Sequence, residues 1–354
     1  MTIYLSAPPA DSLSASREHF VEYVKPVLVA AAMDWDVLEG RREGEVRAAL
    51  AERIRRWRNR RGERVEVPFE DTATSVLEPL RERIGVLEYD GERGDVVIGR
   101  NAWKEYVRGL HEGWLGPMDP PVEQAEEVLK TVEESDKPVV ISPRSEDSAQ
   151  EDVATTPTGA RAEAEEAKTT ESKKEDEAAA APVKPLVTPP YNTTESYSSS
   201  SLPPSIPDTL GPSVAIPFPH ILGFFNTPIR MYRFLNRRAL ADDIGRRTAA
   251  AVLAHHRQYN PLSASGSDGE GGAEWEQQDV LRQEEKEWHK SVHNAKEYAK
   301  ERVWLNEPTI DGRIGERMRA FELLEVDEER ARAIARGTAG IPGRVGGEGE
   351  EKAE

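Results

Sequence analysis

Residues 211–240 read GPSVAIPFPHILGFFNTPIRMYRFLNRRAL and form the densest apolar and aromatic stretch of the chain. Pro217, Pro219 and Pro228 interrupt this stretch. Because proline removes a backbone donor and clashes with the preceding helical turn, the stretch cannot form one uninterrupted membrane-spanning helix. We therefore expect it to dock onto another surface.

The two halves of this stretch carry different patterns. Val214 to Phe225 is typical of an extended or strand-like run, with its prolines at edge or entry positions. Further on, Thr227 is suited to cap a helix that begins with Pro228, since proline at the first helical position loses only an unpaired donor. Apolar residues then alternate with four arginines, which predicts a basic amphipathic helix; the arginines are Arg230, Arg233, Arg237 and Arg238.

This helix supports two interpretations. In the one we favour, its apolar side completes the core of the preceding domain and its arginines are solvated, as is usual for such faces. In the other, it is an interface helix that meets a membrane surface or a partner protein. Contacts would then centre on Phe224, Phe225, Met231 and Phe234.

The residues that precede the stretch alternate between strand and helix patterns. This order predicts an α/β fold, a mostly parallel sheet with flanking helices, whose N-terminal part is residues 1–117. Pro26 is expected to kink or break the first helix. The predicted elements are strand 2–5, helix 12–32, strand 35–39, helix 45–61, helix 74–84, strand 85–89, strand 95–98 and helix 101–114.

The composition changes sharply after this part. Residues 118–207 are an acidic, low-complexity linker. Because such a composition cannot bury enough apolar surface to offset the entropy of ordering, we expect a long, mostly disordered insert. The exceptions we expect are a helix at 122–132 and a strand at 138–142. Residues 208–260 then supply the apolar segment and a helix, 239–259, that complete the domain. A flexible loop (261–273), a helical C-terminal arm (274–337) and a disordered tail (338–354) follow.

The C-terminal arm begins with a predicted long helix from Glu274 to Leu305. Leu281, Trp288 and Ala295 recur every seven residues in it, interleaved with Val292 and Ala299, so one narrow stripe is expected to contact a partner surface. A further helix is predicted from Asp311, and a last one through Ile334.

The overall composition limits both the folded part and the partners. Apolar residues make up 37% of the 354 residues and charged residues 32%, which favours one modest globular body plus disorder. The formal charge of −18 disfavours nucleic acid, and any contact with an anionic surface must be local. The lack of cysteine excludes disulfides, thiol nucleophiles and thiolate metal sites. The N-terminus has the composition of neither a mitochondrial presequence nor a secretory signal.

We assign no catalytic, cofactor-binding or metal-ligating residue. His289 and His293 have the spacing at which two imidazoles can share a metal, but only Glu285 is near as a third ligand. The carboxylate pairs Asp34 with Asp36 and Asp242 with Asp243 are typical of a strand edge and a solvated helix face.

One fold-level resemblance raises an enzyme as the alternative. The runs TIYLSAPP and DVVIGRNAWKEYVRGLHEGWL are similar to the N-terminal nucleotide-binding lobe of diacylglycerol and sphingosine lipid kinases. That family carries a Gly-Gly-Asp-Gly-Thr phosphate loop where Gly99–Trp103 here reads GRNAW. The resemblance therefore implies a lipid- or nucleotide-kinase-like lobe that is degenerate and has lost its ATP site.

A second resemblance covers nearly all the expected folded parts. The runs DVVIGRNAWKEYVRGLHEGWLGP, PFPHILGFFNTPIRMYRFLNRRALADDIG and DGRIGERMRAFELLEVDEERA resemble, in order and spacing, the fungal subunit fifty-four of the mitochondrial inner-membrane import translocase. This implies a non-enzymatic scaffold subunit of the carrier translocase, which inserts multi-spanning proteins into the inner membrane. It also implies a domain that faces the intermembrane space.

The resemblance implies protein partners as well. These are the translocase channel subunit, the small chaperones of the intermembrane space and an inner-membrane AAA protease. The family also has a membrane-spanning segment ahead of the strand that starts here at Thr2, and we find none in this sequence. A shortened N-terminus or a location that depends on partners would account for the difference.

Overall fold

Short runs of β-branched and aromatic residues form the strands, since their side chains pack well on a pleated surface. A computed structural model describes residues 1–9, 11–63, 83, 94–120, 189–262, 274–289, 292 and 307–338. All of them belong to one unit, Met1–Pro120 with Val187–Glu354. The strands are β1 (Thr2–Ser6), β2 (Asp36–Gly40), β3 (Asp95–Ile98), β4 (Pro212–Ile216), β5 (His256–Gln258), β6 (Pro261–Leu262), β7 (Glu274–Trp275) and β8 (Arg319–Phe321).

Helices connect these strands. The first helical run is continuous from Leu13 to Ala30 but contains a π-helical turn, Phe20–Val24, immediately before Pro26, which lies in the first turn of the helix Lys25–Ala30; the irregularity expected near Pro26 is therefore a π-helical turn rather than a break. The α-helices are α1 (Leu13–His19), α2 (Lys25–Ala30), α3 (Glu45–Arg60), α4 (Arg100–Leu115), α5 (Thr227–Leu235), α6 (Arg237–Leu253), α7 (Glu276–Asp279), α8 (Arg282–Glu285), α9 (Gly312–Gly315) and α10 (Glu325–Ala335).

In the described part of the chain, six strands form one sheet in the order β2-β1-β3-β4-β8-β5. Every neighbouring pair is parallel except β5 with β8, which is antiparallel. The predicted fold class, a mostly parallel sheet with flanking helices, is confirmed. The opening apolar stretch supplies β4, which lies inside the sheet between β3 and β8, and Pro212 is its first residue, a position that needs no ladder donor.

Helices cover both faces of the sheet, as a parallel sheet requires. Ile3, Val96 and Val214 belong to the apolar cluster on one face, together with residues of α1, α2 and α6. Tyr4 and Val97, which directly follow Ile3 and Val96 in their strands, belong to the cluster on the other face, together with residues of α3 and α4. The strand period of two residues therefore divides the core into two layers.

Two glycines allow α3 and α4 to pack closely. A Cβ atom on Gly109 would lie 2.9 Å from the Arg47 carbonyl oxygen, and one on Gly113 would lie 2.7 Å from the Cβ of Ile54. Near this contact the buried carboxylate of Glu112 binds two guanidinium groups, those of Arg47 and Arg55, the second at 2.7 Å. The helix pair is thus joined by both shape and charge.

Several predicted elements in the C-terminal half are wrong. The helix expected over 239–259 ends at Leu253, and β5 follows it. Residues 274–285 form β7, α7 and α8 rather than the start of one long helix. The helix expected from Asp311 stops at Gly315, and β8 then joins the sheet. The last predicted helix is confirmed as α10.

Residues 189–207 pack against the body although their composition suggested disorder. Tyr197 is 5% exposed and stacks on the His111 ring at 5.0 Å between centroids. This buried aromatic side chain anchors the serine-rich segment, together with hydrogen bonds from Arg313 to the carbonyls of Tyr197 and Ser200. The helix predicted at 74–84, apart from residue 83, lies outside the described residues, as do the elements predicted at 85–89, 122–132 and 138–142, the rest of the acidic insert, most of the loop and the tail after residue 338.

Candidate docking surface

The two most exposed large apolar side chains of the described residues, Phe224 and Phe225, lie just after β4, and further exposed apolar side chains follow them in α5. Phe224 is 84% exposed and Phe225 92%, where a core aromatic would be nearly inaccessible. We name the set the apolar docking surface; it consists of Phe224, Phe225, Ile229, Met231, Tyr232, Phe234 and Leu235. Soluble monomers rarely leave so large a group of apolar side chains in water, so this surface is suited to contact another molecule.

Local backbone geometry fixes the start of this segment. Gly223 has a φ of +103°, which a residue with a Cβ rarely adopts. The Asn226 side-chain amide donates to the Leu222 carbonyl at 2.7 Å, and the Thr227 hydroxyl donates to the Phe224 carbonyl at 2.6 Å. Asn226, not the predicted Thr227, takes the capping position, and Pro228 lies in the first turn as expected.

Ion pairs hold the segment to the body from its basic side. Arg233 forms a two-pronged pair with Glu287, with one N to O distance of 2.7 Å. Arg237 pairs with Glu22 at 2.7 Å, and its guanidinium lies 4.9 Å from the Phe234 ring centroid. Pairing with Glu287 raises the pKa of the Arg233 guanidinium. Because Arg233 and Arg237 bind the body, the apolar side chains of the segment are left in solvent.

The expectation that the apolar side of this helix completes the core is therefore wrong. No residue of α5 is buried. Instead, β4 lies inside the sheet, and α6 covers one of its faces through Ile244 and Ala251. The alternative interpretation, an interface helix with Phe224, Phe225, Met231 and Phe234 exposed, agrees with the structure.

The second predicted contact, the stripe around Trp288, is not assembled as expected. Leu281 has a left-handed backbone and packs on the core, and Val292 is 3% exposed. The Lys104 ammonium lies 5.8 Å from the centroid of the half-buried Trp288 ring. Ala295 and Ala299 are outside the described residues. This region is mainly an internal contact with α4.

The Gly99–Trp103 segment, which resembles a kinase phosphate loop, contains the N-terminus of α4, and the Glu284 side chain binds there. The backbone N–H of Arg100 donates to Glu284 at 2.8 Å, and the N–H of Phe218 donates to the other carboxyl oxygen at 2.6 Å. Burial raises the pKa of Glu284 to about 7. A helix N-terminus attracts anions, and here a carboxylate fills the place where a phosphate would bind.

The second helix N-terminus at this sheet edge is filled in the same way. Glu105 accepts the backbone N–H groups of Val46 at 3.0 Å and Arg47 at 3.4 Å, at the start of α3. The Ser6 hydroxyl donates to its other oxygen at 3.4 Å. Burial raises the pKa of Glu105 to about 7. The helix N-termini that follow β2 and β3 thus both bind carboxyl groups of this chain.

The Arg100 side chain joins the same contact. It is buried and donates to the carbonyls of Gln278 and Val280, and it pairs with Glu307 at 2.9 Å. The Trp103 indole donates to the Gln277 carbonyl at 2.8 Å. The residues that depart from the lipid-kinase pattern therefore bind residues 277–285 over the sheet edge.

The histidines and carboxylate pairs singled out from the sequence do not form a reactive site. His289 is exposed, His293 is outside the described residues, and no group of three or more histidine or acidic side chains in the described ranges is arranged to hold a metal ion. Asp242 and Asp243 pair with arginines one turn on, as a solvated helix face does.

Three buried residues that the sequence did not single out organise the structure: Glu105, Glu284 and His111. The His111 Nδ1 contacts the Val107 carbonyl at 2.8 Å, and its Nε2 accepts the N–H of Asp311 at 2.9 Å. No local signal identifies these roles, because the partners are far apart in sequence. Glu105 has one sequence signal, because it lies one helical turn after Asn101, at the start of the helix predicted over 101–114.

The fold and this surface together define a class: an α/β protein whose anion positions are filled internally and whose exposed apolar segment is suited to docking. In the described residues no helix combines the length and apolar character that a membrane crossing needs. Residues 1–321 match the family model described as inner membrane protein import complex subunit Tim54.

Curated relatives give the same result. The mitochondrial import inner membrane translocase subunit tim54 of Aspergillus fumigatus is 47% identical over 370 residues, which cover 97% of this chain and 80% of the relative. The protein of the same name from Neurospora crassa is 42% identical over 343 residues, covering 94% and 68%. The chain belongs to the Tim54 family of inner-membrane protein import complex subunits, and its place is the mitochondrial inner membrane.

Proposed function

We propose that this protein is a non-enzymatic scaffold subunit of the mitochondrial carrier translocase, which supports insertion of multi-spanning proteins into the inner membrane. The observation that carries the proposal is the apolar docking surface, seven exposed apolar side chains on a body of the Tim54 family. A subunit that holds other components needs such a surface, whereas an enzyme needs a reactive cleft.

The internal carboxylates support the non-enzymatic part of this proposal. A nucleotide phosphate at α3 or α4 would have to displace Glu105 or Glu284 from two backbone N–H groups each. Electrostatic repulsion between the phosphate and the ionised glutamate would add to the free-energy cost of this displacement. The sheet edge that binds ligands in many parallel α/β proteins is thereby used for internal support.

The partners we propose are the translocase channel subunit and the small chaperones of the intermembrane space, with an inner-membrane AAA protease as a further contact. The domain then faces the intermembrane space. Tagged protein isolated from gently solubilised mitochondria should bring down the channel subunit, as read by mass spectrometry. Recovery without any translocase component would refute the proposal.

The alternative is a degenerate lipid- or nucleotide-kinase-like enzyme. The observation that favours it is the β3–Gly99–α4 connection, where Gly99 has the positive φ of +85° that a phosphate loop requires. Isothermal titration with ATP and magnesium separates the two functions. Saturable binding that Glu284→Ala strengthens would favour the enzyme, and no heat above dilution would favour the scaffold.

A further inference from the structure

The charge pattern around the apolar docking surface differs from the rest of the chain. From Thr209 to Ala241, 33 residues contain four arginines and neither aspartate nor glutamate. The whole chain has 65 acidic residues among 354, so about six acidic residues would be expected in a run of this length at the average frequency. The surface is thus locally basic on a protein with a net charge of −18.

An ordinary surface helix turns its apolar side toward the core, whereas α5 exposes its apolar side to solvent. Arg230 and Arg233 lie on one side of α5, since residues three apart share a helix face. Arg233 and Arg237 bind Glu287 and Glu22 of the body, whereas Arg230 is exposed and donates to the Thr227 hydroxyl within its own helix. The apolar side is turned to solvent, where Met231 is 65% and Leu235 is 72% exposed.

The width of the apolar side indicates what it contacts. A helix that binds a protein groove shows a narrow stripe at spacings of three, four and seven residues. Here consecutive residues, Met231 with Tyr232 and Phe234 with Leu235, are all exposed, so the apolar side chains extend around most of the helix. Preceding it, the Phe224 and Phe225 rings form an edge-to-face pair. A fluid hydrocarbon layer fits so broad a surface better than a fixed groove.

We propose that residues 222–238 insert into an anionic phospholipid surface, with the apolar docking surface among the acyl chains and exposed Arg230 and Arg238 at the headgroup phosphates. Aromatic and aliphatic residues next to arginine are the composition of interfacial helices. Location at the inner membrane places a bilayer beside the protein. The acidic remainder is repelled by the same surface, so only this face approaches it.

The inference uses the same surface as the scaffold proposal and specifies lipid as what that surface contacts. It is tested without any translocase component, so its failure and the failure of the scaffold proposal can be distinguished. Its test uses the purified full chain and flotation with vesicles of phosphatidylcholine alone or mixed with phosphatidylglycerol. We expect the chain to float with the mixed vesicles and binding to fall as salt rises. Phe224→Ser with Phe225→Ser and Phe234→Ser should lower the partition coefficient by about 10-fold or more.

Two further variants separate the contributions. Arg230→Gln with Arg238→Gln should lower binding to the mixed vesicles by about 5-fold for each arginine, and should not change binding to neutral ones. Val326→Ser is the matched control, since Val326 is 72% exposed but lies in α10, and it should bind like the wild type. Unchanged thermal unfolding of each variant shows that the fold is intact.

The lack of cysteine allows a site-specific readout. Phe225→Cys labelled with an environment-sensitive fluorophore should shift to the blue on mixed vesicles, and Val326→Cys should not. The inference is overturned if the wild type stays with the pellet in both vesicle types or if the triple serine variant floats equally well. It is also overturned if the label at 225 shifts only with protein concentration, which would indicate a second copy on this face.

Discussion

Replacing His111 with glutamine should remove an acid sensitivity from the fold. Its Nε2 accepts the N–H of Asp311, so the ring is neutral and its proton lies on Nδ1, toward the Val107 carbonyl. Burial lowers the pKa of this imidazole to about 4. The ring bridges α4 to the segment that leads into α9, and it stacks on Tyr197. Protonation would add a second donor at Nε2 and break that bridge.

The sign and size of the effect follow from proton linkage. The unfolded ring titrates near pKa 6.5 and the folded ring near 4, so stability is present above 6.5 and is lost as the pH falls toward 4. Between about pH 7.5 and about pH 5.5 the loss from this ring is about 1 kcal/mol. The lower pH remains above the sequence pI of 5.0, which limits aggregation.

Urea unfolding, followed by tryptophan fluorescence at both pH values, measures the difference. The free energy of unfolding of the wild type should fall by about 1 kcal/mol more than that of His111→Gln, whose amide can keep both hydrogen bonds. His256→Gln replaces an exposed ring and should behave like the wild type. An equal loss for wild type and His111→Gln would refute the neutral bridge.

Three further pairs of measurements test the packing by the same unfolding assay at neutral pH. Glu112→Ala leaves two buried guanidinium groups without their shared carboxylate and should cost about 3–5 kcal/mol, whereas Glu52→Ala removes an exposed pair and should cost under about 1 kcal/mol. Gly113→Ala should cost about 1–3 kcal/mol through its clash, and Gly245→Ala, with open space around it, should instead stabilise α6 by up to about 1 kcal/mol. Glu284→Ala should cost about 1–3 kcal/mol because two buried N–H groups lose their acceptor, and Glu284→Gln, which keeps one carbonyl oxygen, should cost less.

The first half of the fold could be predicted from sequence because its two 16-residue helices are periodic and its strands β1 and β3 are short runs rich in β-branched or aromatic residues. β1, α3, β3 and α4 all lie within a residue or so of their predicted bounds. A strand could be predicted from the apolar run, although β4 ends at Ile216 and the extended run predicted as far as Phe225 does not continue as strand. The central place of β4 in the sheet could not be predicted. That place depends on β8, which is only three residues long and too short to show a pattern.

The remaining errors share a physical cause. Leu281 begins a seven-residue apolar repeat, yet residues 276–285 form two four-residue helices, because they bind Arg100 and Trp103, more than 170 residues away. Long-range polar contacts of this kind leave no local signal. The apolar docking surface could be located from its amino-acid composition. Whether its apolar side faces the core or solvent depends on ion pairs with Glu22 and Glu287, which the composition does not show.

The proposed role of this Tim54-family protein is to hold an import complex together at the inner membrane. Insertion of a radiolabelled carrier precursor into isolated mitochondria tests it most directly, with organelles depleted of this protein compared with organelles that retain it. The account predicts that carrier insertion falls several-fold on depletion while import of a matrix-targeted precursor is maintained. Carrier insertion at an undiminished rate in depleted mitochondria would contradict it.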